Sequence, residues 1–296
     1  MHADEIAVDI ELVARLIAVQ YPDWSHLALR PVEPWGTDNA IWRLGEDLVV
    51  RLPRIYWAKE QPAKEAKWLP NLASHLPVSI PEPVALGRPD SEYPFPWSVH
   101  RWLPGELAGP DTIRDRNAFA DSLLDVIRGL RQAPIDGAPP PHNRARPLAE
   151  YDESARQAIA SAADLIDAEA ALKIWEAGLA AAPHAGALHW VHGDLEGNCL
   201  VLNGYLSGLV DWGSACVGDP AVDVQVAWSP LFTDASRARF LERLNPSAAT
   251  LERAKAIAIQ QACVALPYYL NTYPLIVERS WNKLAALGVP TRRAFG

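Results

Sequence analysis

Three oxygen-bearing side chains in one short stretch of the chain have the types and spacing that phosphoryl transfer requires. Asp194 and Asn198 stand four residues apart, and Asp211 follows two short apolar runs. Transfer of a phosphoryl group needs hard oxygen ligands for Mg²⁺ and a carboxylate that orients the attacking hydroxyl. The segment therefore predicts Asp194 as the catalytic base and Asn198 and Asp211 as metal ligands.

A β-hairpin is predicted to bring these side chains together. Asn203-Gly204 separates the apolar runs Cys199 to Leu202 and Tyr205 to Val210. Asn-Gly favours a two-residue type I′ turn, because both central residues of that turn need positive φ. In the resulting register Asp211 lies diagonal to Asn198, at about 6–8 Å between Cβ atoms.

The motifs of this region resemble those of a known family. His192-Gly-Asp, the downstream Asn198, Asp211-Trp-Gly and Gly218-Asp-Pro with Asp223 occur in the same order as in the protein-kinase-like superfamily, and more closely in the aminoglycoside phosphotransferase family. The resemblance implies a bilobal kinase-like fold, Mg²⁺, and ATP or GTP as phosphate donor. It also implies structural support from three residues: His192, Asp219 and Asp223.

Composition limits the classes of partner. The 296 residues carry a net charge of −9, which argues against nucleic acid and fits a small cationic acceptor. No apolar run reaches the ~20 residues of a membrane span, so no membrane association is expected. The N-terminal segment is acidic where a signal peptide would be basic, which predicts a cytoplasmic protein with reduced cysteines.

The hydrophobic pattern predicts an α+β fold with two lobes. Residues 1–103 form a small N-lobe with an antiparallel sheet and one main helix, over 62–72, in addition to a first helix over 9–19. Predicted strands cover 27–29, 40–44, 48–52, 84–86 and 97–103. Residues 104–296 form a mainly helical C-lobe with the catalytic hairpin, and Thr112 is expected to cap its first helix. The hinge lies near 98–105.

The nucleotide-binding groups are predicted in three segments of the N-lobe. A turn after the first strand carries the phosphate-binding candidates Gly36, Thr37 and Asn39. Arg51 stands where the resembled family has a strand lysine, and Glu65 is its expected acidic partner, with Glu60 as the alternative. Main-chain groups at the hinge are expected to bind the base: Arg101, Trp102 and Leu103.

The predicted activity is transfer of the γ-phosphate of ATP or GTP to a hydroxyl of an aminoglycoside-type antibiotic, conferring resistance. The candidates for binding acceptor amino groups are Glu196, Asp234 and Glu278. Alternatives are a kinase acting on a macrolide, a peptide antibiotic or a metabolite such as choline or homoserine. Arg51 in place of lysine and the short Asp194 to Asn198 spacing motivate a further alternative, an inactive nucleotide-binding protein. A metal-dependent phosphoesterase is the least favoured reading. A monomer or weak homodimer is expected.

Overall fold

Contacts along the chain divide it into two units in the computed structural model, which describes residues 5–33, 38–142 and 145–292. The first, the sheet unit, consists of Met1–Ser74, Ser79–Pro104 and Gly208–Gly213. The second, the helical unit, consists of His75–Val78, Gly105–Ser207 and Ser214–Gly296. The predicted α+β class, with an antiparallel sheet in one unit and mainly helices in the other, is confirmed.

A five-stranded antiparallel sheet forms the centre of the sheet unit, with the strand order β1-β2-β3-β5-β4. Its strands are β1 (Leu29–Pro31), β2 (Asn39–Leu44), β3 (Leu48–Pro53), β4 (Pro83–Gly87) and β5 (Trp97–Arg101). Its helices are α1 (Ile10–Gln20) and α2 (Gln61–Ala73). Every residue of β3, the middle strand, is buried, so both faces of the sheet are covered at this strand.

Helix α1 begins and ends one residue later than its apolar stripe predicts. Asp9 caps the helix by accepting a hydrogen bond from Leu12 N–H at 2.9 Å, and Val13, Leu16 and Ile17 face the core. Two strands differ from the prediction: the first runs over 29–31 instead of 27–29, and β5 ends at Arg101. Apolar runs mark strands poorly at their ends, where turn geometry decides the pairing.

The helical unit is built around long helices with three short strand pairings. Its helices are α3 (Arg116–Gln132), α4 (Asp152–Ser161), α5 (Ala168–Ala180), α6 (Ala221–Val224), α7 (Asp234–Leu244), α8 (Ala248–Tyr269) and α9 (Pro274–Ala286). Its strands are β6 (Glu106–Leu107), β7 (His189–Val191), β8 (Cys199–Leu202), β9 (Tyr205–Leu209, whose last two residues belong to the sheet unit) and β10 (Cys216–Gly218). No helix in the described ranges combines the length and apolarity needed to cross a membrane.

The cap of α3 corrects one prediction. Asp115, and not Thr112, accepts the free N–H groups of the first turn, from Asn117 at 2.8 Å and Ala118 at 3.1 Å. The hydroxyl of Thr112 instead donates to the carbonyl of Leu107 at 3.0 Å, inside the preceding turn. Both residue types are good helix caps, so the choice depends on the path of the chain before the helix.

The predicted β-hairpin is confirmed. Strand β8 pairs with β9 across a two-residue turn in which Asn203 has φ 54° and Gly204 has φ 85°. A Cβ atom on Gly204 would lie 2.5 Å from Cβ of Arg114, so glycine is required here by contact as well as by conformation. The hairpin lies between Asn198 and Asp211 in the sequence.

Candidate active site

The candidate catalytic loop joins β7 to β8 in the helical unit. Two of its glycines lie in the left-handed region, Gly193 at φ 82° and Gly197 at φ 88°. A Cβ atom on Gly193 would lie 3.0 Å from the backbone oxygen of Ser214. Because glycine adopts this conformation without steric cost, the loop can turn within the short spacing between Asp194 and Asn198.

Asp194 and Asn198 are in direct contact. The Asn198 side-chain nitrogen donates to the backbone oxygen of Asp194 at 2.7 Å and lies 3.4 Å from its carboxylate. This bond orients the amide so that the nitrogen faces Asp194 and the oxygen remains available as a ligand. Both side chains are half-buried, so the carboxylate is within reach of a bound molecule.

Asp223 fixes the start of the catalytic loop by hydrogen bonds to its backbone. Its buried carboxylate accepts the backbone N–H groups of His192 at 2.9 Å and Gly193 at 2.8 Å. Burial raises the pKa of Asp223, although the neighbouring His192 and the two N–H donors oppose that shift. The ring nitrogen Nδ1 of His192 accepts from Asp194 N–H at 3.3 Å. These bonds constrain the backbone on both sides of Gly193.

Asp219 lies two residues before α6, the helix that carries Asp223. Its carboxylate accepts the Ala221 N–H at 2.9 Å and also binds Arg253, whose Nε lies 2.6 Å away. Arg253 is only 5% exposed and lies on α8, so this ion pair ties the Gly-Asp-Pro segment to the longest helix of the chain. Sequence reasoning missed Arg253, because it stands in an ordinary helical pattern far from the motif.

Glu196 takes part in a buried polar cluster beside the catalytic loop. Its carboxylate forms an ion pair with Lys283 of α9, and the side chains are 9% and 5% exposed. The Lys283 ammonium also donates to Gln225 at 3.2 Å and to Gln261 at 3.0 Å. The second carboxylate oxygen of Glu196 is buried and accepts no hydrogen bond in the described part of the chain. Lys283 therefore neutralises a carboxylate that the sequence suggested for binding an acceptor amine.

The other two acceptor candidates lie on the surface of the helical unit. Asp234 begins α7, is 94% exposed and pairs with Arg237 one turn along the helix. Glu278 is exposed on α9. Lys283 and Arg237 thus pair with two of the three candidate carboxylates, those of Glu196 and Asp234.

Arg51 makes the central ion pairs of the sheet unit. Its Nη1 donates to both oxygens of Glu65, at 2.9 and 2.8 Å, and its Nη2 donates to Asp211 at 2.9 Å. Arg51 is 7% exposed and Glu65 is 2% exposed. Burial alone would lower the pKa of Arg51, but the two carboxylates outweigh it and raise the pKa. Glu65, not Glu60, is thus the acidic partner of Arg51.

Asp211 has a backbone conformation that is uncommon for a residue with a side chain. Its φ is 58°, in the left-handed region, where aspartate is tolerated better than most residues. The following segment is fixed within the sheet unit, since the Trp212 indole donates to Leu209 O at 3.1 Å and Lys64 donates to Gly213 O. Such strain is typical of functional sites.

His100 is a buried neighbour of this network that sequence reasoning missed. It is fully buried on β5, and its Nε2 lies 3.7 Å from the Glu65 carboxylate. Burial, with a smaller contribution from the Arg51 guanidinium, lowers the pKa of His100 to about 3. The ring is therefore neutral at physiological pH and adds no charge to the Arg51–Glu65 pair.

The predicted phosphate-binding turn lies partly outside the described residues. Gly36 and Thr37 fall in the undescribed segment 34–37. Asn39 is buried at the start of β2, and its side-chain nitrogen donates to the Gln61 amide oxygen at 2.9 Å. This bond connects the end of the turn to the first residue of α2.

Two of the three residues predicted to bind the base use their main-chain N–H groups within the sheet unit. The Arg101 N–H donates to Glu82 O at 2.8 Å, and the Trp102 N–H donates to Asp47 O at 2.8 Å. The Trp102 ring lies under the Arg43 guanidinium, 4.0 Å from its centroid. Within the described ranges the Leu103 N–H makes no hydrogen bond.

The donor atoms of the candidate metal ligands suit Mg²⁺, which prefers hard oxygens and usually keeps a few protein ligands together with phosphate. Asn198 offers its amide oxygen. Arg51 binds Oδ1 of Asp211, whereas Oδ2 accepts no hydrogen bond from the residues described. No group of three or more His, Cys, Asp or Glu side chains in those ranges could hold a metal alone. A magnesium ion here would thus need oxygen ligands in addition to protein side chains, such as phosphate oxygens.

Solved structures of antibiotic kinases have the same fold. The GDP complex of aminoglycoside 2'-phosphotransferase-IIIa aligns with a TM-score of 0.71 at 18% identity, covering 95% of this chain and 99% of that chain. The macrolide 2'-phosphotransferase MphH from Brachybacterium faecium aligns with a TM-score of 0.60 at 24% identity, covering 95% and 97%. A thermostable mutant of aminoglycoside phosphotransferase APH(4)-Ia aligns with a TM-score of 0.63 at 18% identity, covering 93% and 97%.

No curated protein matches the sequence closely enough to count as a relative. A family model described as the phosphotransferase enzyme family matches residues 29–257, which is most of the chain. Those residues include β2 and β3 with Arg51, the catalytic loop and Asp211. The chain belongs to the phosphotransferase enzyme family.

Proposed function

We propose that the protein transfers the terminal phosphoryl group of ATP or GTP to a hydroxyl group of a small molecule. The observation that carries the proposal is the contact between Asp194 and Asn198, in a loop that two bonds to Asp223 hold in place. A base, a metal ligand and a rigid support are the parts that this reaction needs, because its catalysis consists mainly of positioning and charge stabilisation.

Asp194 is proposed as the group that orients the acceptor hydroxyl and takes its proton. The hydroxyl oxygen forms a bond to the terminal phosphorus, the bond between that phosphorus and the bridging oxygen breaks, and the nucleoside diphosphate leaves. The proposed metal ligands are Asn198, held by its bond to Asp194, and Asp211, whose Oδ2 accepts no hydrogen bond from the described residues. Magnesium supplies charge neutralisation on the phosphates when bound.

The donor site is assigned to the sheet unit. Arg51 stays charged in its ion pair with Glu65. An arginine can form bidentate hydrogen bonds to phosphate oxygens at this position, where the resembled family has a lysine. The N–H of Leu103, which has no partner among the described residues, is proposed to bind the base. Structural neighbours are described as complexes with GDP, ADP and AMP-PNP, which supports a nucleotide donor without deciding between ATP and GTP. We place the reaction in the cytoplasm, where both nucleotides are supplied.

An aminoglycoside-type antibiotic is the first acceptor that we propose, with resistance as the consequence. Structural neighbours are described as complexes with kanamycin, gentamicin, streptomycin and hygromycin B. The net charge of −9 also favours a cationic acceptor at long range.

A macrolide is the second acceptor that we propose, because cationic side chains pair with two of the candidate carboxylates. Lys283 and Arg237 neutralise Glu196 and Asp234, which reduces the carboxylates available to a polycation. Apolar side chains are also exposed around the end of α8, including Val264 at 46% and Tyr268 at 49%. The macrolide kinase shares 24% identity with this chain.

The test is nucleotide consumption by the purified protein with Mg²⁺, using ATP and GTP separately against aminoglycosides, macrolides, peptide antibiotics, choline and homoserine. We expect acceptor-dependent release of ADP or GDP that is lost in Asp194→Ala. Added salt should weaken the binding of an aminoglycoside acceptor and leave the binding of a macrolide nearly unchanged. Nucleotide binding without turnover on any acceptor would favour the inactive nucleotide-binding protein instead.

A further inference from the structure

Helix α9 presents two cations to the catalytic loop. Arg279 and Lys283 are four residues apart and so lie on one face of the helix, one turn from each other. Lys283 pairs with Glu196, and Arg279 lies against Gly197, the next residue of the loop. The C-terminal helix therefore brings two positive charges to consecutive loop residues, within the helical unit.

The two cations differ in the use of their hydrogen-bond donors. Lys283 is 4% exposed, and its ammonium directs its three donors to Glu196, Gln225 and Gln261. Arg279 is half-buried, and its guanidinium has neither a hydrogen bond nor an ion pair with any of the residues described. Lys283 thus stabilises the buried cluster around Glu196. The guanidinium of Arg279, by contrast, has N–H donors that no described residue uses and that a ligand could accept.

The loop is shaped to admit the guanidinium of Arg279. A Cβ atom at position 197 would lie 2.4 Å from Nη1 and 3.3 Å from Cζ of this arginine. Gly197 also has φ 88°, which disfavours any residue with a side chain. Asn198, the proposed metal ligand that contacts Asp194, follows immediately. A guanidinium without a partner among the described residues consequently contacts the loop at the residue before the proposed metal ligand.

We propose that Arg279 binds the terminal phosphoryl group of the donor and stabilises its negative charge during transfer. Arginine suits this role because its planar fork of N–H donors matches phosphate oxygens bidentately and stays charged. Lys283 cannot take the role, since its donors are occupied. The inference rests on the proposed function, because it presumes that the Asp194 loop receives the terminal phosphate.

The experiment compares binding of two nucleotides to the full-length wild-type protein and to Arg279→Met by isothermal titration calorimetry. Mg·AMP-PNP carries the terminal phosphoryl group and Mg·ADP lacks it. We expect Arg279→Met to bind Mg·AMP-PNP about 10- to 100-fold more weakly, as for loss of a charge-assisted hydrogen bond. Affinity for Mg·ADP should be unchanged, which also shows that the variant is folded.

Two further variants sharpen the comparison. Arg279→Lys keeps the positive charge but loses the planar guanidinium. Its affinity for Mg·AMP-PNP should therefore lie between the affinities of the wild type and of Arg279→Met. Arg292→Met is the matched control: it removes one exposed positive charge from the same unit and should change neither affinity.

Three results would overturn the inference. One is an equal affinity of Arg279→Met and wild type for Mg·AMP-PNP, including the case in which only the KM for the acceptor rises. Another is an equal loss for Mg·AMP-PNP and Mg·ADP, which would indicate a general structural role. In both cases nucleotide binding by the wild type leaves the proposed function standing. Failure of the wild type to bind either nucleotide would overturn the proposed function and this inference together.

Discussion

Replacing Arg51 by Met isolates the energetics of the buried ion pair in the sheet unit. The variant keeps an unbranched side chain but leaves Glu65, which is 2% exposed, without its two bonds from Nη1. His100 cannot substitute, because its pKa is lowered to about 3 and its ring is neutral. Removing one partner of a buried pair costs about 3–5 kcal/mol, so we expect a loss of that size in the free energy of unfolding at pH 8.

The loss should depend on pH. Without Arg51, burial raises the pKa of Glu65 further above its value in the unfolded chain, because desolvation is already the main cause of the shift. A carboxyl group with a raised folded-state pKa destabilises the fold at high pH, and the penalty fades as pH falls toward the unfolded pKa of about 4.3. The stability difference between wild type and Arg51→Met should therefore shrink between pH 8 and pH 5.

The assay is urea denaturation followed by tryptophan fluorescence, at pH 8 and at pH 5. The double variant Arg51→Met/Glu65→Gln is the control, since a neutral amide needs no counter-charge. It should recover part of the lost stability at pH 8 and show little dependence on pH. A double variant as unstable as Arg51→Met, or a penalty that grows as pH falls, would refute the reasoning.

Three further changes test the helical unit. Gly197→Ala combines a strained φ of 88° with a Cβ 2.4 Å from the Arg279 guanidinium, so we expect a loss of about 1–3 kcal/mol by urea denaturation; unchanged stability would contradict the close approach. Lys283→Met leaves Glu196 buried and unpaired and should cost about 3–5 kcal/mol, and Lys283→Met/Glu196→Gln should recover part of it; additive losses would exclude coupling. Burial raises the pKa of Cys199 to about 12, so its thiol should resist iodoacetamide at pH 8 in the native protein and react in urea; rapid native labelling would show the thiol to be accessible.

Local chemistry explains what could be predicted from the sequence. Asn203 and Gly204 both accept positive φ and so favour a two-residue turn. That turn makes the strands on either side of it pair with each other. The apolar stripe of α1 and the turn between β2 and β3 are equally local. Glu65 could be selected as the partner of Arg51 because strand and helix positions constrain which side chains face each other.

The contacts that support the loop could not be predicted in this way. Arg253 reaches Asp219 from α8, and Lys283 reaches Glu196 from α9, across long separations in sequence. The sequence around each cation is that of an ordinary helix, in which a lysine or arginine is usually exposed to solvent. Only the tertiary packing shows that these two are buried. His100 gave no signal either, since one histidine in an apolar strand is typical of a core. The Thr112 cap failed because two suitable caps competed within one turn.

Direct detection of the phosphorylated product tests the central claim, that Asp194 drives phosphoryl transfer to a small-molecule hydroxyl. Each acceptor that stimulates nucleotide consumption should be incubated with Mg²⁺ and the preferred nucleotide, and its mass measured with wild type and with Asp194→Asn. Wild type should add one phosphoryl group to a hydroxyl of the acceptor, and Asp194→Asn should bind the nucleotide but form almost no product. Equal product from the two proteins would contradict the role of Asp194, and nucleotide hydrolysis without a phosphorylated acceptor would contradict the transfer itself.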